Sequence, residues 1–317
     1  MEQPSPHRTI IKVADGDLHV LDWGGCGTPA HLLHANGFCA GTYATFVRLF
    51  TDHLRIIASD VRGHGDSVRF DTIRIRNWKP FAEDLAQVVS ATLPLPAVGI
   101  GHSLGAVTTL MAAVRHPDLF AGIVLIDPPI LPAHLLWYLR IMRWTGLEGM
   151  LPLAKGARRR LRVFKNKQAA FARFAAGRGI FKKWAPEFIQ AYLDCGLLEK
   201  DPQTAVLKCD PELEAQIFES IPTDIWDIVP MTPCPTLVIR GEMSDTLRPE
   251  VARRLRRLIK NCRLDIISGT GHFPPMEKPE ACAESIIKFV QQRVPPLVEC
   301  QPPGVKSGEP FFSSTEK

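Results

Sequence analysis

Several features that mark other classes of protein are missing from this sequence. No apolar run approaches the roughly 18–20 residues that span a bilayer, and the start MEQPSPHRTI lacks the basic and apolar segments of a secretory signal. The eight cysteines form no C-x-x-C pair and no Cys/His cluster at zinc spacing. These absences disfavour a membrane-spanning, secreted or zinc-binding protein, and the scattered thiols predict a reducing, cytoplasmic location.

The positive charge of the chain is concentrated in one stretch. Residues 155–183 contain eleven Lys and Arg and no Asp or Glu, which leaves the rest of the chain with a net charge of −6. Apolar residues such as Leu161 and Phe174 recur in it at near-helical spacing, as in an amphipathic basic helix. Weak contact with a membrane surface or an anionic substrate is one interpretation, and an ordinary solvated face is the other. No motif for nucleic-acid binding accompanies the charge.

Strands and helices alternate along much of the chain. A β-hairpin is predicted around Asp15-Gly16. Short apolar strands are predicted at 30–35, 54–60, 96–101, 121–127, 234–241 and 262–268, with helices at 42–50, 78–93, 103–116, 249–260 and 279–294. Strands that are apolar throughout are typical of a parallel sheet covered on both faces, so the pattern predicts the α/β class.

The alternation stops between Pro128 and about Pro230. No strand is convincing there, and the segment predicts several helices, with aromatic residues such as Trp137, Trp184 and Tyr192 among them. We therefore predict one core formed by residues 1–127 and 232–294 and a helical cap formed by 128–231. The Pro- and Gly-rich residues 295–317 predict a disordered tail.

The sequence GHSLG at residues 101–105 matches the pattern G-x-S-x-G. It lies between a predicted strand and a predicted helix, which is the context that the pattern requires. So tight a turn needs small flanking residues, and it holds the serine at the carboxyl end of the strand, where open α/β sheets bind ligands. Ser103 is therefore the predicted nucleophile, and a plain turn with a capping serine is the alternative.

A serine nucleophile needs a base, and the base needs a carboxylate that orients it. His272 is the only histidine after residue 134, and it lies in a Gly-rich segment after the last predicted strand. With a nucleophile in such a turn, the expected chain order is serine, acid, histidine. Asp245, just past strand 234–241, is the predicted acid; Asp127 is its rival, and Glu242 is a weaker third candidate.

Acyl transfer also needs two backbone N–H groups that stabilise the developing oxyanion. One is expected from Leu104, the residue after the nucleophile. The other is expected from Phe38, because the segment HANGF at residues 34–38 follows an early strand and Gly37 permits close approach of the backbone. An Asn-Gly turn without this role is the alternative for that segment.

Together these motifs resemble the α/β-hydrolase superfamily, specifically its cap-bearing serine hydrolases and esterases. HANGF resembles the oxyanion loop, DVRGHGDS (60–67) the loop that flanks the active site, GHSLG the nucleophile elbow, RGEMSD (240–245) the acid loop and GTGHFPPMEKPE (269–280) the histidine loop. The resemblance covers about residues 9–127 and 232–293. Ala35 departs from it, because many members read His-Gly directly at this point. The resemblance implies the α/β-hydrolase fold, with the cap inserted after the strand that ends at Asp127.

The expected function is hydrolysis of a small-molecule carboxylic ester with an apolar acyl or alcohol part, through an acyl-enzyme. No cofactor and no metal are expected. The same triad could instead serve a carbon–carbon bond hydrolase, a cofactor-free lyase or an acyltransferase. The chain could also be a ligand receptor that turns over negligibly, because a fold does not by itself decide between these functions.

Overall fold

Eight strands of the core form one sheet, and a second, small sheet lies in the middle of the chain. The computed structural model describes residues 5–67, 74–177 and 179–294; the predicted tail lies outside them. The strands are β1 (His7–Val13), β2 (Gly16–Gly24), β3 (Thr28–Leu33), β4 (Leu54–Ser59), β5 (Ala97–His102), β6 (Phe120–Ile126), β7 (Val163–Phe164), β8 (Leu197–Asp201), β9 (Thr204–Leu207), β10 (Thr236–Gly241) and β11 (Cys262–Ile267).

Helices follow most of these strands. They are α1 (Ala44–Val47), α2 (Lys79–Thr92), α3 (Leu104–Arg115), α4 (Ala133–Trp144), α5 (Pro152–Arg158), α6 (Lys167–Ala175), α7 (Pro186–Gly196), α8 (Pro211–Glu219), α9 (Ile225–Ile228), α10 (Pro249–Leu258), α11 (Pro274–Glu277) and α12 (Pro279–Arg293). Short 3-10 helices lie at Ala40–Tyr43, Glu148–Met150, Gly179–Lys183 and Val229–Met231.

The large sheet has the strand order β1-β2-β4-β3-β5-β6-β10-β11. The β1–β2 hairpin and the β2–β4 pair are antiparallel, and the other neighbours are parallel. The sheet is therefore the mostly parallel α/β-hydrolase sheet that the sequence predicted. Since β3, β4, β5, β6, β10 and β11 run the same way, the loops after β3, β5, β6, β10 and β11 meet at one edge.

The strands that carry this edge are apolar on both faces. Every residue of β5 is buried, as is every residue of β6 except the half-buried Ala121. One apolar cluster covers one face with α2, α3 and α10, and a second cluster covers the other face with α1 and α12. Burial on both faces explains why these strands read as apolar runs without alternation.

The expectation of a purely helical cap is wrong in one respect. Between residues 128 and 231 the structure has helices, but it also has the antiparallel sheet β7-β9-β8. Sequence patterning missed these strands because they are short, and because four of the five residues of β8 are exposed. No described element of this segment joins the large sheet. We keep the name cap for residues 128–231.

Candidate active site

Ser103 lies in a sharp turn between β5 and α3. Its backbone has φ 54° and ψ −116°, a conformation that a non-glycine residue rarely adopts. Its N–H donates to the Ile126 carbonyl oxygen at 2.9 Å, which ties the turn to the end of β6. Residues held in this way cluster at functional sites, and the strain is balanced by the surrounding structure.

The two glycines of GHSLG are required by close backbone contacts. A Cβ at Gly101 would lie 2.3 Å from the Gly105 carbonyl oxygen, and a Cβ at Gly105 would lie 2.1 Å from the Leu33 carbonyl oxygen. Neither position has space for a side chain, because both obstacles are backbone atoms. The pattern G-x-S-x-G therefore reflects packing of the turn against β3 and against itself.

His272 joins Ser103 to a carboxylate, and that carboxylate belongs to Asp127. The Nε2 atom of His272 is 3.0 Å from Ser103 Oγ, and its Nδ1 atom is 2.7 Å from Asp127 Oδ2. Because an ionised carboxylate only accepts, the proton of the neutral ring lies on Nδ1. Nε2 can then accept the Ser103 hydroxyl proton, which is the arrangement of a general base.

Asp127 is fully buried and is held by four hydrogen bonds. Its N–H donates to the Ile239 carbonyl oxygen at 2.8 Å, and its Oδ1 accepts from Gly241 N–H at 3.1 Å. Its Oδ2 accepts from the Ser244 hydroxyl at 2.5 Å as well as from His272. The residue has φ 42°, in the left-handed region that Asp tolerates better than most residues. The loop after β10 thus fixes a carboxylate that follows β6.

The acid assignment made from the sequence is therefore corrected. Asp245 is exposed, and among the described residues its carboxylate meets only the neighbouring Thr246 hydroxyl, at 3.5 Å. Glu242 is also exposed, and it accepts from the Ser268 hydroxyl and Gly269 N–H at 2.8 Å each. Neither carboxylate has a hydrogen bond to His272, whose Nδ1 is already bound to Asp127. Both aspartates were candidates from the sequence, but the residue that contacts His272 is the one after β6 and not the one after β10.

The loop after β10 turns Ser244 inward and Asp245 outward. The Arg240 guanidinium donates to three carbonyl oxygens of this loop, those of Glu242, Ser244 and Leu247, at 2.6–3.1 Å. The Ser244 hydroxyl donates to Asp127 and accepts from Leu247 N–H at 3.3 Å. Sequence reasoning missed Ser244, because one serine beside an aspartate gives no signal of its direction.

The two predicted oxyanion donors differ in their present hydrogen bonds. Leu104 begins α3, so its N–H is one of the four that the first turn of a helix leaves without an intrahelical acceptor. Phe38 N–H already donates to the Ala35 carbonyl oxygen at 3.1 Å. To stabilise an oxyanion, Phe38 N–H would have to share or exchange this acceptor. Both roles stay predictions.

A buried chain of hydrogen bonds joins the loop after β3 to the loop that holds His272. Ala35 N–H donates to the Tyr43 hydroxyl oxygen at 3.1 Å, and that hydroxyl is 2.6 Å from His102 Nδ1. His102 Nε2 is 2.9 Å from the His272 carbonyl oxygen. Because this carbonyl only accepts, Nε2 carries the proton and Nδ1 accepts from Tyr43. Burial lowers the pKa of His102 to about 3, so the ring is neutral, as this chain requires.

Aromatic rings from the cap cover this edge of the sheet. Trp184 packs edge-on against Phe38, with ring centroids 5.5 Å apart, and against Phe273, at 5.6 Å. Phe273 in turn lies 4.7 Å from the His272 ring. Among the described residues, nothing accepts a hydrogen bond from the buried Trp184 Nε1. Trp184 of the cap therefore contacts Phe38, in the loop after β3, and Phe273, the residue that follows His272.

Much of the charge of the basic stretch is compensated by acidic side chains, most of them in the cap. Arg158 pairs with Glu212 and Glu219, Arg160 with Glu214, Arg162 with Asp210, Lys167 with Asp194 and Lys183 with Glu277. The acidic partners follow the stretch in the chain, mostly in and around α8, and so they were invisible in a count confined to residues 155–183. The stretch is also no single helix, because β7 and a loop separate α5 from α6.

Among the described residues, one group of His and Asp side chains lies close enough together to bind a metal ion, but its hydrogen bonds do not suit one. His19, Asp60 and Asp66 offer ligand atoms within 4.8 Å of one another. The Asp60 carboxylate, however, already accepts from His19 Nδ1 at 2.8 Å, from Ala40 N–H at 2.7 Å and from Asp66 N–H at 2.9 Å. Asp66 also contacts the ammonium group of Lys208 at 2.5 Å. This cluster orders the loop 60–67 beside the site.

Comparison with known proteins places the chain in a large group of hydrolases. The model of the alpha/beta hydrolase family matches residues 32–285. The chain is 23% identical over 276 residues to the pimeloyl-[acyl-carrier protein] methyl ester esterase of Yersinia enterocolitica. This match covers 86% of the present chain and 98% of the esterase. It is 30% identical to human monoglyceride lipase over 149 residues, or 41% of this chain and 49% of the lipase.

Solved structures agree on the fold. An E-2-(acetamidomethylene)succinate hydrolase superposes with a TM-score of 0.73 at 21% identity, and the match covers 90% of this chain and 99% of the other. At this identity the likeness concerns the fold. Within the described residues, no helix is both long and apolar enough to cross a bilayer.

Proposed function

The chain belongs to the alpha/beta hydrolase family, and from this premise we propose that it is a serine-dependent hydrolase of carboxylic esters. Ser103 is the nucleophile, His272 the general base and Asp127 the carboxylate that orients it. The observation that carries the proposal is the continuous contact from Ser103 Oγ through both nitrogens of His272 to Asp127. Esterases and a lipase among the similar proteins favour an ester as the bond that is cleaved.

Acylation begins when Ser103 Oγ attacks the ester carbonyl carbon and His272 Nε2 takes the hydroxyl proton. The carbonyl oxygen becomes an oxyanion, for which Leu104 N–H and, after exchanging its present acceptor, Phe38 N–H are the proposed donors. The imidazolium then carries two protons, and Asp127 stabilises its charge through Nδ1. Collapse of the intermediate breaks the bond to the alkoxy oxygen, which leaves as an alcohol with the proton from Nε2.

Deacylation repeats these steps with water. His272 Nε2 takes one proton from a water molecule, whose oxygen attacks the acyl carbon, and the second intermediate releases the acid and restores Ser103 Oγ–H. Three hydrogen bonds, from Gly241 N–H, the Ser244 hydroxyl and His272 Nδ1–H, hold the Asp127 carboxylate in place through both steps. Every group in this scheme is supplied by the chain, the substrate or water.

A fluorophosphonate probe, followed by a panel of esters of increasing acyl length, tests the proposal. We expect the probe to label Ser103 rapidly in the wild-type protein and not in Ser103→Ala, and we expect at least one ester of the panel to be turned over. Labelling without turnover of any ester would favour the receptor or another chemistry of the same triad. Absence of labelling in a folded protein would refute the serine nucleophile. The expected cytoplasmic location stays a prediction.

A further inference from the structure

The cap contains an open pocket of about 720 Å³, the size of sites that hold a small-molecule ligand. It lies between α5, α6, the 3-10 helix Gly179–Lys183 and α8. Its wall is mostly apolar, and the large apolar side chains that line it are Leu153, Leu161, Phe174, Ile180, Phe181 and Phe218. A ligand with a chain of methylene groups would be stabilised in such a pocket, because its apolar surface would be removed from water.

Several apolar residues of the pocket are strongly exposed in the structure. Leu153 is 61% exposed, Leu161 47% and Ile180 41%, although each also lines the pocket. Apolar side chains that remain in water lose this exposure when a ligand covers them, which favours binding. An apolar ligand chain in this pocket would cover these residues together.

The pocket carries an excess of positive charge. Arg159, Arg160 and Arg173 line it, and Glu214 is its only acidic lining residue among those described. Glu214 is taken by Arg160, whose guanidinium donates to it at 2.5 Å and to the Tyr192 hydroxyl at 2.6 Å. Arg159 and Arg173 are exposed and have no acidic partner in the described part of the chain. Two guanidinium groups are therefore available for a negatively charged group of a ligand.

Three aromatic rings in succession connect this pocket with the histidine. Phe181, in the pocket wall, has its ring centroid 5.0 Å from that of Trp184. Trp184 is 5.6 Å from Phe273, and Phe273 is 4.7 Å from His272. The rings of Trp184 and Phe273 thus stand between the pocket wall at Phe181 and His272.

We propose that this cap pocket binds a single-chain anionic amphiphile, with its hydrocarbon chain on the apolar wall and its anionic group at Arg159 and Arg173. On the proposed function, of which this is an extension, such a molecule is the acid that ester hydrolysis releases, bound in the cap after it leaves Ser103. The ligand class follows from two features that the pocket combines. One is an apolar wall open to water, and the other is a pair of arginines that no acidic side chain of the described residues contacts. The ligand can bind as a single dissolved molecule without a bilayer, because the pocket volume of about 720 Å³ suits one molecule.

Calorimetric titration of the Ser103→Ala protein with decanoate, below its aggregation concentration, tests the proposal without turnover. Decan-1-ol serves as the uncharged counterpart. We expect Arg159→Gln with Arg173→Gln to raise the Kd of decanoate about tenfold, as expected for loss of charge-assisted hydrogen bonds. The Kd of decan-1-ol should stay within about twofold.

The matched control replaces two exposed cations of the cap that do not line the pocket, Lys165→Gln with Lys182→Gln. It removes the same charge and should change the Kd of decanoate by less than about twofold, because exposed charges at a distance are screened. If both double variants weaken decanoate equally, the attraction is a diffuse property of the cap and the pocket proposal is wrong.

The apolar part of the site is tested independently. Octanoate should bind about tenfold more weakly than decanoate, since each buried methylene contributes about 0.8 kcal/mol. Leu161→Glu should abolish decanoate binding by placing a carboxylate in the wall. Leu198→Glu, at a comparably exposed leucine outside the pocket, should leave it unchanged.

The two proposals can fail separately. Turnover of esters by the wild-type protein, without decanoate binding to the Ser103→Ala protein at millimolar concentration, would overturn the pocket and leave the ester hydrolase in place. Decanoate binding with the expected variant pattern, in a protein that no fluorophosphonate labels, would support the pocket and overturn the serine hydrolase.

Discussion

The edge of the large sheet and the cap pocket differ in how far their polar groups are buried and hydrogen-bonded. At the sheet edge, Asp127 and His102 are buried, and hydrogen bonds occupy both their side chains. In the cap, Trp137 is 65% exposed and Trp144 is 87% exposed, and Arg159 and Arg173 of the pocket have no acidic partner among the described residues. A network that is already satisfied holds its atoms in position before a substrate arrives. An unsatisfied surface is completed by a ligand, so we assign chemistry to the first region and recognition to the second.

The largest effect should come from removing the nucleophile. Ser103→Ala should reduce kcat for ester hydrolysis by at least about 10⁵-fold. The free energy of unfolding should stay nearly the same, because the turn remains and only a hydroxyl is lost. Steady-state rates and urea titrations on the same preparations measure both quantities. Turnover near that of the wild type, in a preparation free of contaminating hydrolase, would remove Ser103 from the mechanism.

The next effect separates the two candidate carboxylates. Asp127→Asn should reduce kcat by about 10³–10⁴-fold, because an amide at this position favours the wrong tautomer of His272. Asp245→Asn is the matched control, and it should change kcat by less than about twofold, because its side chain is exposed and makes no contact with His272. An equal loss in both variants would contradict the pairing seen in the structure.

These two carboxylates also show how far sequence reasoning reaches. The apolar strands, the elbow around Ser103 and the single late histidine could be predicted, because each depends on local pattern and chain order. The choice between Asp127 and Asp245 depends on the direction of side chains in the loop after β10, where Arg240 binds three carbonyl oxygens and turns Ser244 inward. No local pattern encodes that direction.

The interpretation of residues 155–183 as one block of free positive charge was wrong for a related reason. Eleven cations without an acid in 155–183 suggested free charge, but Arg158, Arg160 and Arg162 find acidic partners between residues 210 and 219. Neutralising these arginines would break ion pairs of the cap before it tested any ligand. Only the three-dimensional arrangement singles out Arg159 and Arg173.

Acid should destabilise the core through its buried histidines. Burial lowers the pKa of His31, His64 and His102 to about 3, from an ordinary value of 6.5. Their folded-state pKa lies below that of the unfolded chain, so the unfolded state binds more protons between pH 6.5 and 3. The stability that these groups contribute is fully present above pH 6.5 and is lost as the pH falls. At pH 5 the loss is about 2 kcal/mol for each histidine.

Urea unfolding at pH 7.5 and at pH 5.0 measures this loss. His31→Gln, at a buried residue whose Nε2 is 3.0 Å from the Ser59 hydroxyl, should reduce the difference between the two pH values by about 2 kcal/mol. His53→Gln, at an exposed histidine, is the control and should leave the difference unchanged. A wild-type stability that is equal at both pH values would show that these histidines are not held neutral.

The smallest effect on kcat concerns the hydrogen-bond chain behind the site, and it compares the two regions directly. Tyr43→Phe removes the hydroxyl that joins Ala35 N–H to His102 Nδ1. Two buried groups then lack partners, at about 1–3 kcal/mol of stability each. Because the chain ends on the His272 carbonyl oxygen, we also expect kcat to fall about tenfold, with little change in KM, as the two loops lose their fixed spacing.

Tyr192→Phe is the matched variant in the cap. It removes a buried hydroxyl that accepts from Arg160 at 2.6 Å, while the ring that packs on Phe38 remains. It should lower stability by a comparable amount but leave kcat for small neutral esters within about twofold, because its partner is a cap arginine and not a loop of the site. A purely structural role for Tyr43 would lower stability alike in both variants and spare kcat in both. An equal fall of kcat in both would mean that any loosening of the protein slows the reaction, and the division between a chemical edge and a recognition cap would have to be abandoned.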